Sequence, residues 1–106
     1  MEIKIMLDFG HSPIWKYDDG FVTDEYFPIV DDDVLLNQIA DEINDLYSSY
    51  YEFNSHDVAC WINKEQKEKD KPIMRELVIK LVNRLNEIND GSFTVNNILA
   101  KWLDIE

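Results

Sequence analysis

At 106 residues the chain has room for one domain around a single core, and a content of 45% hydrophobic and 12% aromatic residues excludes a disordered chain. A single cysteine, Cys60, excludes an internal disulfide, and no apolar run approaches the roughly 18 residues of a membrane span. A net charge of −12, from 22 acidic and 10 basic residues, excludes the basic surface that nucleic acid or an anionic membrane would require.

The charge is placed unevenly. Residues 1–60 hold 14 acids against 2 bases, a balance of −12, whereas residues 61–106 hold 8 of each sign. Such asymmetry predicts a one-sided field and a cationic partner; the simpler alternative is that the acids only maintain solubility. The first residues lack the basic head and long apolar run of a signal peptide. With the lone cysteine, this predicts a soluble cytoplasmic protein.

In chain order, Glu2–Phe9 alternate Ile3, Ile5 and Leu7 with polar residues, the pattern of a strand with one wet face. Gly10–Pro13 break it. The runs IWKYD and FVTDE then flank Asp19-Gly20, a strong hairpin signal because the turn needs positive φ at both central positions. That turn sets Tyr17 opposite Val22 and Trp15 opposite Asp24. Pro28 closes the unit. Asp31, Asp32 and Asp33 open a helix running to about Tyr50, one of them capping it. Leu35, Leu36, Ile39, Ile43, Leu46, Tyr47 and Tyr50 form its apolar stripe. Gln38, Asp41, Glu42 and Asp45 occupy its other face, where Asp41 and Asp45 repel one another across one turn.

Asn54-Ser55 reads as a turn and residues 57–62 as a strand. Lys64–Lys71 is a polar loop or frayed helical turn. A second helix starts at Lys71-Pro72, carries Met74, Leu77, Val78, Leu81, Val82, Leu85 and Ile88 at helical spacing, and ends at Asn89-Asp90-Gly91. Residues 92–95 form a brief strand or turn, followed by a short helix capped by Thr94 with Val95, Ile98, Leu99, Trp102 and Leu103 inward. The expected fold is a single α+β domain over residues 1–106. It is a small, mostly antiparallel sheet with an N-terminal strand and hairpin, two main amphipathic helices packed on one face, and a short C-terminal helix.

Chemistry is weakly represented. Asp8-Phe9-Gly10 spells a kinase metal-binding triplet without the glycine-rich loop, strand lysine or catalytic loop that give it meaning. Asp8, His11, His56 and Cys60 are the only ligands beyond surface acids, and their spacing lacks the paired pattern of zinc sites. Cys60 with His56 or His11 is the only conceivable nucleophile–base pair, and Cys60 sits in a buried-looking strand with no cation beside it. The three glycines are scattered, so no phosphate loop exists. The expectation is a protein without catalytic residues, cofactor or metal.

What remains is the hairpin. Trp15, Tyr17, Phe21 and Tyr26 interleave with Asp18, Asp19, Asp24 and Glu25, the aromatic-and-charge texture of binding hot spots. The competing reading places Trp15 and Phe21 in the core and leaves the acids merely solvated.

IKIMLDFG, SPIWKYDDG, an acidic helix and FNSHD together resemble a group of small bacterial immunity proteins encoded beside polymorphic or contact-dependent toxins. The likeness covers the first half of the chain and is carried by Asp8, Pro13, Trp15, Tyr17, Asp18, Gly20, Phe53, Asn54 and His56. It implies a binding protein that neutralises a cognate toxin, here a basic nuclease-type domain. The partner-facing residues are then Trp15, Tyr17, Asp18, Asp19, Asp24 and Glu25 of the hairpin, with Gln38, Asp41, Glu42 and Asp45 of the helix. Trp15 or Tyr17 serves as anchor. The rival readings are an acidic adaptor or DNA-mimic inhibitor and, less favoured, a small enzyme. Trp102 or the edge of the first strand offers a homodimer contact.

Overall fold

Ile3 and Ile5 are completely buried, while Glu2 and Lys4 between them keep partial exposure. This two-residue period makes Glu2–Ile5 a strand, β1, with one face on the core. The computed structural model describes residues 1–8, 11–53, 60–62 and 64–105, the segments 51–53 and 60–62 by their backbone. β1 lies antiparallel to β2 (Ile14–Asp18), with Ile5 opposite Ile14 and Ile3 opposite Lys16. β2 turns back into the two-residue β3 (Phe21–Val22), with Tyr17 opposite Val22 as the turn chemistry requires. Asp19 at φ 51° and Gly20 at φ 84° supply the two positive dihedrals. Pairing ends with the Thr23 N–H on the Lys16 carbonyl at 2.9 Å, so Trp15 and Asp24 are not ladder partners.

On its other side β1 pairs in parallel with β6 (Thr94–Asn97), Ile3 opposite Val95. The sheet order is therefore β3-β2-β1-β6, a mixed sheet that is mostly antiparallel. β1 is an inner strand, so the dimer contact expected at its edge is already occupied within the chain. A separate two-stranded sheet joins β4 (Tyr51–Phe53) to β5 (Cys60–Ile62). The expected strand over 57–62 thus exists in part, outside the main sheet. Its start, and the turn at Asn54-Ser55, lie outside the described residues.

Pro28 begins an element instead of ending one. With φ preset for a helix and no N–H to leave unpaired, it opens the single-turn α1 (Pro28–Asp31). The Asp31 carboxylate accepts the Phe27 N–H at 2.7 Å. α2 (Val34–Ser48) follows directly, and the capping acid is Asp33, whose Oδ1 accepts the Leu36 N–H at 2.7 Å. The Asn37 amide donates to the carbonyls of Asp31 and Asp33, holding the two helices in register. Lys64–Lys69 form a short helix, α3, and α4 runs from Lys71 to Ile88 with Pro72 in its first turn. Beyond Gly91 (φ 96°) the chain enters β6.

α2 and α4 pack together on the core face of the sheet. Leu36, Ile39, Ala40, Ile43 and Tyr47 meet Met74, Val78, Leu81 and Leu85, with Ile3, Ile5 and Ile14 beneath. Each Ile, Leu, Val or Met among these contributes about 1.5–3 kcal/mol by leaving water. The helices run antiparallel, because Asp33 at the start of α2 binds Arg84 late in α4. The C-terminal segment is a chain of turns, where the sequence predicts a short helix. The Asn97 side chain takes the Leu99 N–H, the Ile105 N–H reaches back five residues to Ala100, and Asp104 sits at φ 56°, so no regular helical ladder forms. Its inward residue, Leu103, is nevertheless fully buried. Among the described residues, no helix is long and apolar enough to cross a membrane.

Two side chains carry measurable consequences. Asp33 binds Arg84 with both oxygens, Nε to Oδ1 at 3.0 Å and the terminal nitrogen to Oδ2 at 2.7 Å. These hydrogen bonds hold its carboxyl below the ordinary value; burial opposes them and the Leu36 N–H assists. Asp33→Ala removes cap and ion pair together and costs about 2 kcal/mol in urea unfolding; Asp33→Asn keeps the cap and costs about half of that. Because the folded pKa is depressed, the ionic contribution is complete above the unfolded value of about 3.9 and is lost as pH falls through the folded one. The wild-type advantage over Asp33→Asn therefore shrinks in acid, and a constant gap down to a pH of about 2 would refute the assignment.

Tyr50 is fully buried and its hydroxyl has no hydrogen-bond partner among the described residues. Burial, then the charge of Asp70, push its pKa up to about 12. Tyr50→Phe deletes an unsatisfied group at almost constant volume. It should leave the unfolding free energy in urea unchanged or raise it by up to about 1 kcal/mol, and a clear loss would reveal a partner for the hydroxyl.

Candidate protein-binding surface

The sheet decides what the hairpin presents. Ile5 and Ile14 face the helices, so their neighbours Lys4, Trp15, Glu2 and Tyr17 face the opposite side. Trp15 and Tyr17, the expected anchors, lie on this outer face and are both partly covered by local partners. The His11 ring stacks on Trp15 at 3.7 Å and 11°, and the indole N–H donates to the Met6 carbonyl at 3.3 Å. The Lys4 ammonium sits 4.2 Å over the Tyr17 ring. Both aromatics are half-buried.

Among the described residues the exposed aromatics are Phe21 and Tyr26, at 76% and 62%, with Val22 beside them at 52%. Phe21 pairs with Asp18 at the hairpin tip and is left largely exposed by the described residues. The sequence placed Phe21 and Tyr26 in the aromatic pattern without marking them as the accessible members. The useful signal was register: a two-residue turn at Asp19-Gly20 sends Phe21 to the end of the ribbon. The Tyr26 hydroxyl donates to the Asp32 carboxylate, and this hydrogen bond, with desolvation and the charges of Asp32 and Asp31, raises its pKa.

The acids around these side chains have no compensating bases. Asp18, Asp19, Asp24 and Glu25 are exposed, as are Asp41, Glu42 and Asp45. None forms an ion pair among the described residues. The two bases of the same half are engaged elsewhere. Lys4 lies 3.9 Å from Glu2, and Lys16 binds the Asp31 carboxylate and the Glu25 carbonyl, both at 2.8 Å. The Lys16 contacts join the hairpin to α1.

The expected surface divides into two parts. The hairpin acids gather around Phe21 and Tyr26. The α2 stripe of Gln38, Asp41, Glu42 and Asp45 is exposed as expected, but it begins more than a turn beyond the cap. At 1.5 Å per residue, Asp41 and Asp45 lie about 12 and 18 Å along the axis from Asp33. Gln38 and Glu42 border a groove between α2 and α4, where Leu35, at 48% exposure, meets Lys80 and Arg84 across the gap.

Of the weaker candidates, Asp8 and His11 are bridged through their backbone, the His11 N–H on the Asp8 carbonyl at 3.2 Å. The His11 ring is held by Trp15 and lies 2.6 Å from the Ser12 carbonyl. No group of three or more His, Cys, Asp or Glu able to hold a metal exists among the described residues. His56 and the Cys60 side chain lie outside them. Trp102 is half-buried beneath the Lys67 ammonium at 4.7 Å. Comparison with protein-family models, curated proteins and solved structures gives no match.

The geometry separates aromatics that hold the fold from those that face outward. Trp15→Ala should cost about 2 kcal/mol, since a half-buried, stacked ring is lost. Phe21→Ala should change stability by no more than about 0.5 kcal/mol. Equal losses in thermal or urea unfolding would contradict this division.

Proposed function

We propose that the protein is an immunity-type inhibitor that binds a basic toxin domain, of the nuclease kind, through its acidic hairpin end. One observation carries the reading: Phe21 and Tyr26 stand exposed among Asp18, Asp19, Asp24 and Glu25, while both bases of that half are tied up internally. Aromatic anchors within a field of one sign favour tight docking onto a surface of the opposite sign. A nuclease must be basic where it holds phosphate. An acidic surface can occupy that place, and the uncompensated field speeds the encounter. Such an inhibitor works by occupancy, with no catalytic group or cofactor, and acts in the cytoplasm, where the toxin would meet nucleic acid.

The test is capture on the immobilised chain from cells of its source, with elution by increasing salt. The expected result is a stoichiometric basic protein that is toxic when expressed without this chain. Its retention should fall between about 0.1 and 0.5 M salt. The fourfold variant Asp18→Lys, Asp19→Lys, Asp24→Lys, Glu25→Lys should lose it, and Phe21→Ala should weaken it about tenfold or more. Unchanged affinity in the fourfold variant sinks the assignment. A captured basic partner that is harmless when expressed alone would instead favour an adaptor or DNA-mimic role.

A further inference from the structure

The two long helices leave a groove of about 420 Å³ between them on the side away from the core. Its floor is Leu35 and Ile39. Gln38 and Glu42 of α2 form one wall, and Lys80, Asn83, Arg84 and Glu87 of α4 form the other. The walls differ in charge. Glu42 is exposed and has no ion-pair partner among the described residues, and Asp41 and Asp45 stand beside it in the same state. On the facing wall the Arg84 charge is met by Asp33 at 2.7 Å and Glu87 at 3.0 Å. Lys80 has no ion-pair partner among the described residues. Leu35, which lines the groove, is 48% exposed, although it belongs to a helix whose apolar stripe lies mainly on its core side.

An apolar seam between two antiparallel helices, flanked by charge of opposite sign, is the surface onto which a third helix packs. Side-chain ridges of the incoming helix fill the groove at an interaxial distance of roughly 8–10 Å. Apolar anchors at i, i+3, i+4 and i+7 would meet Leu35 and Ile39. Charged flanks then sort the complex much as they do in coiled coils.

We infer that the α2–α4 groove is a docking site for an amphipathic helix of a partner protein, with a lysine- or arginine-bearing flank against Glu42 and an acidic flank against Lys80. The site is separate from the hairpin end and does not depend on its role. The wall charges select the occupant. A helix basic on both flanks meets Lys80, and one acidic on both flanks meets Glu42.

The test uses the full chain and fluorescein-labelled, helix-stapled peptides of about 14 residues, with leucines at helical spacing. One peptide carries Lys on one flank and Glu on the other, a second Lys on both, a third Glu on both. Fluorescence anisotropy at about 0.15 M salt should show the mixed peptide binding about tenfold more tightly than either control. Leu35→Asp should weaken the mixed peptide about tenfold. Lys80→Glu should reverse the preference, favouring the peptide with Lys on both flanks. The fourfold hairpin variant should stay within about threefold of wild type, since its charges are screened over about 8 Å. The inference is overturned if the mixed peptide fails to bind up to about 1 mM, if it binds Leu35→Asp as tightly as wild type, or if Lys80→Glu leaves the ranking unchanged.

Discussion

The carboxylate of Asp33 is where the helical layer is joined. Its Oδ1 ends the free backbone of α2 at Leu36 and also meets the Arg84 Nε, while Oδ2 takes the terminal guanidinium nitrogen. One side chain thereby fixes where α2 begins and which turn of α4 lies beside it. Asn37 extends the constraint to α1, and Lys16 ties α1 to the hairpin. The relative placement of hairpin, helix pair and groove follows from this short chain of charged contacts. The apolar core beneath is permissive by comparison, since burial rewards area and has little directional preference.

The same economy of cations gives the surface its character. Lys4, Lys16 and Arg84 all work inside the fold, holding a ring, a helix junction and a cap. The acids outside are left unbalanced. Asp41 and Asp45, a turn apart on one face, cost a few tenths of a kcal/mol by their repulsion, and no base within that stripe relieves it. A fold that tolerates this strain at low ionic strength gains a strong external field. Salt acts on the two groups differently: the exposed carboxylates are screened, whereas the partly buried Asp33–Arg84 pair is screened much less.

Much of the architecture was legible because it rests on local chemistry. Asp19-Gly20 specified the hairpin and its register; the aspartate run and Pro72 marked the helix starts; Gly91 marked an exit. The misreadings arose where local signals served two outcomes. Pro28 suits the first turn of a helix as well as the end of a ribbon. Val95, Ile98, Leu99, Trp102 and Leu103 have helical spacing, yet pairing of β6 with β1 and the Asn97 turn take the backbone another way. The aromatics show the limit most clearly. Trp15 and Phe21 look equivalent along the chain, and only the positions of His11, Met6 and the helix ends make one structural and the other free. The acids of the hairpin and of α2 are exposed, as their polar spacing predicts, while their division into two patches follows from the direction of α2.

The pairing of β1 with β6 also sets an order of events in folding. The hairpin closes across two residues, but Ile3 and Val95 are separated by roughly ninety residues of chain. The entropy of closing so long a loop is recovered only once α2 and α4 have packed and carried the two strands together. The separation predicts that the fourth strand joins last, on a platform already built. Substitutions such as Val95→Ala then act mainly on the unfolding limb of a chevron, and Ile39→Val or Val78→Ala on the refolding limb. The β1 edge that awaits β6 stays open during that interval, so the time spent before closure, more than final stability, governs the tendency of the nascent chain to pair with its neighbours.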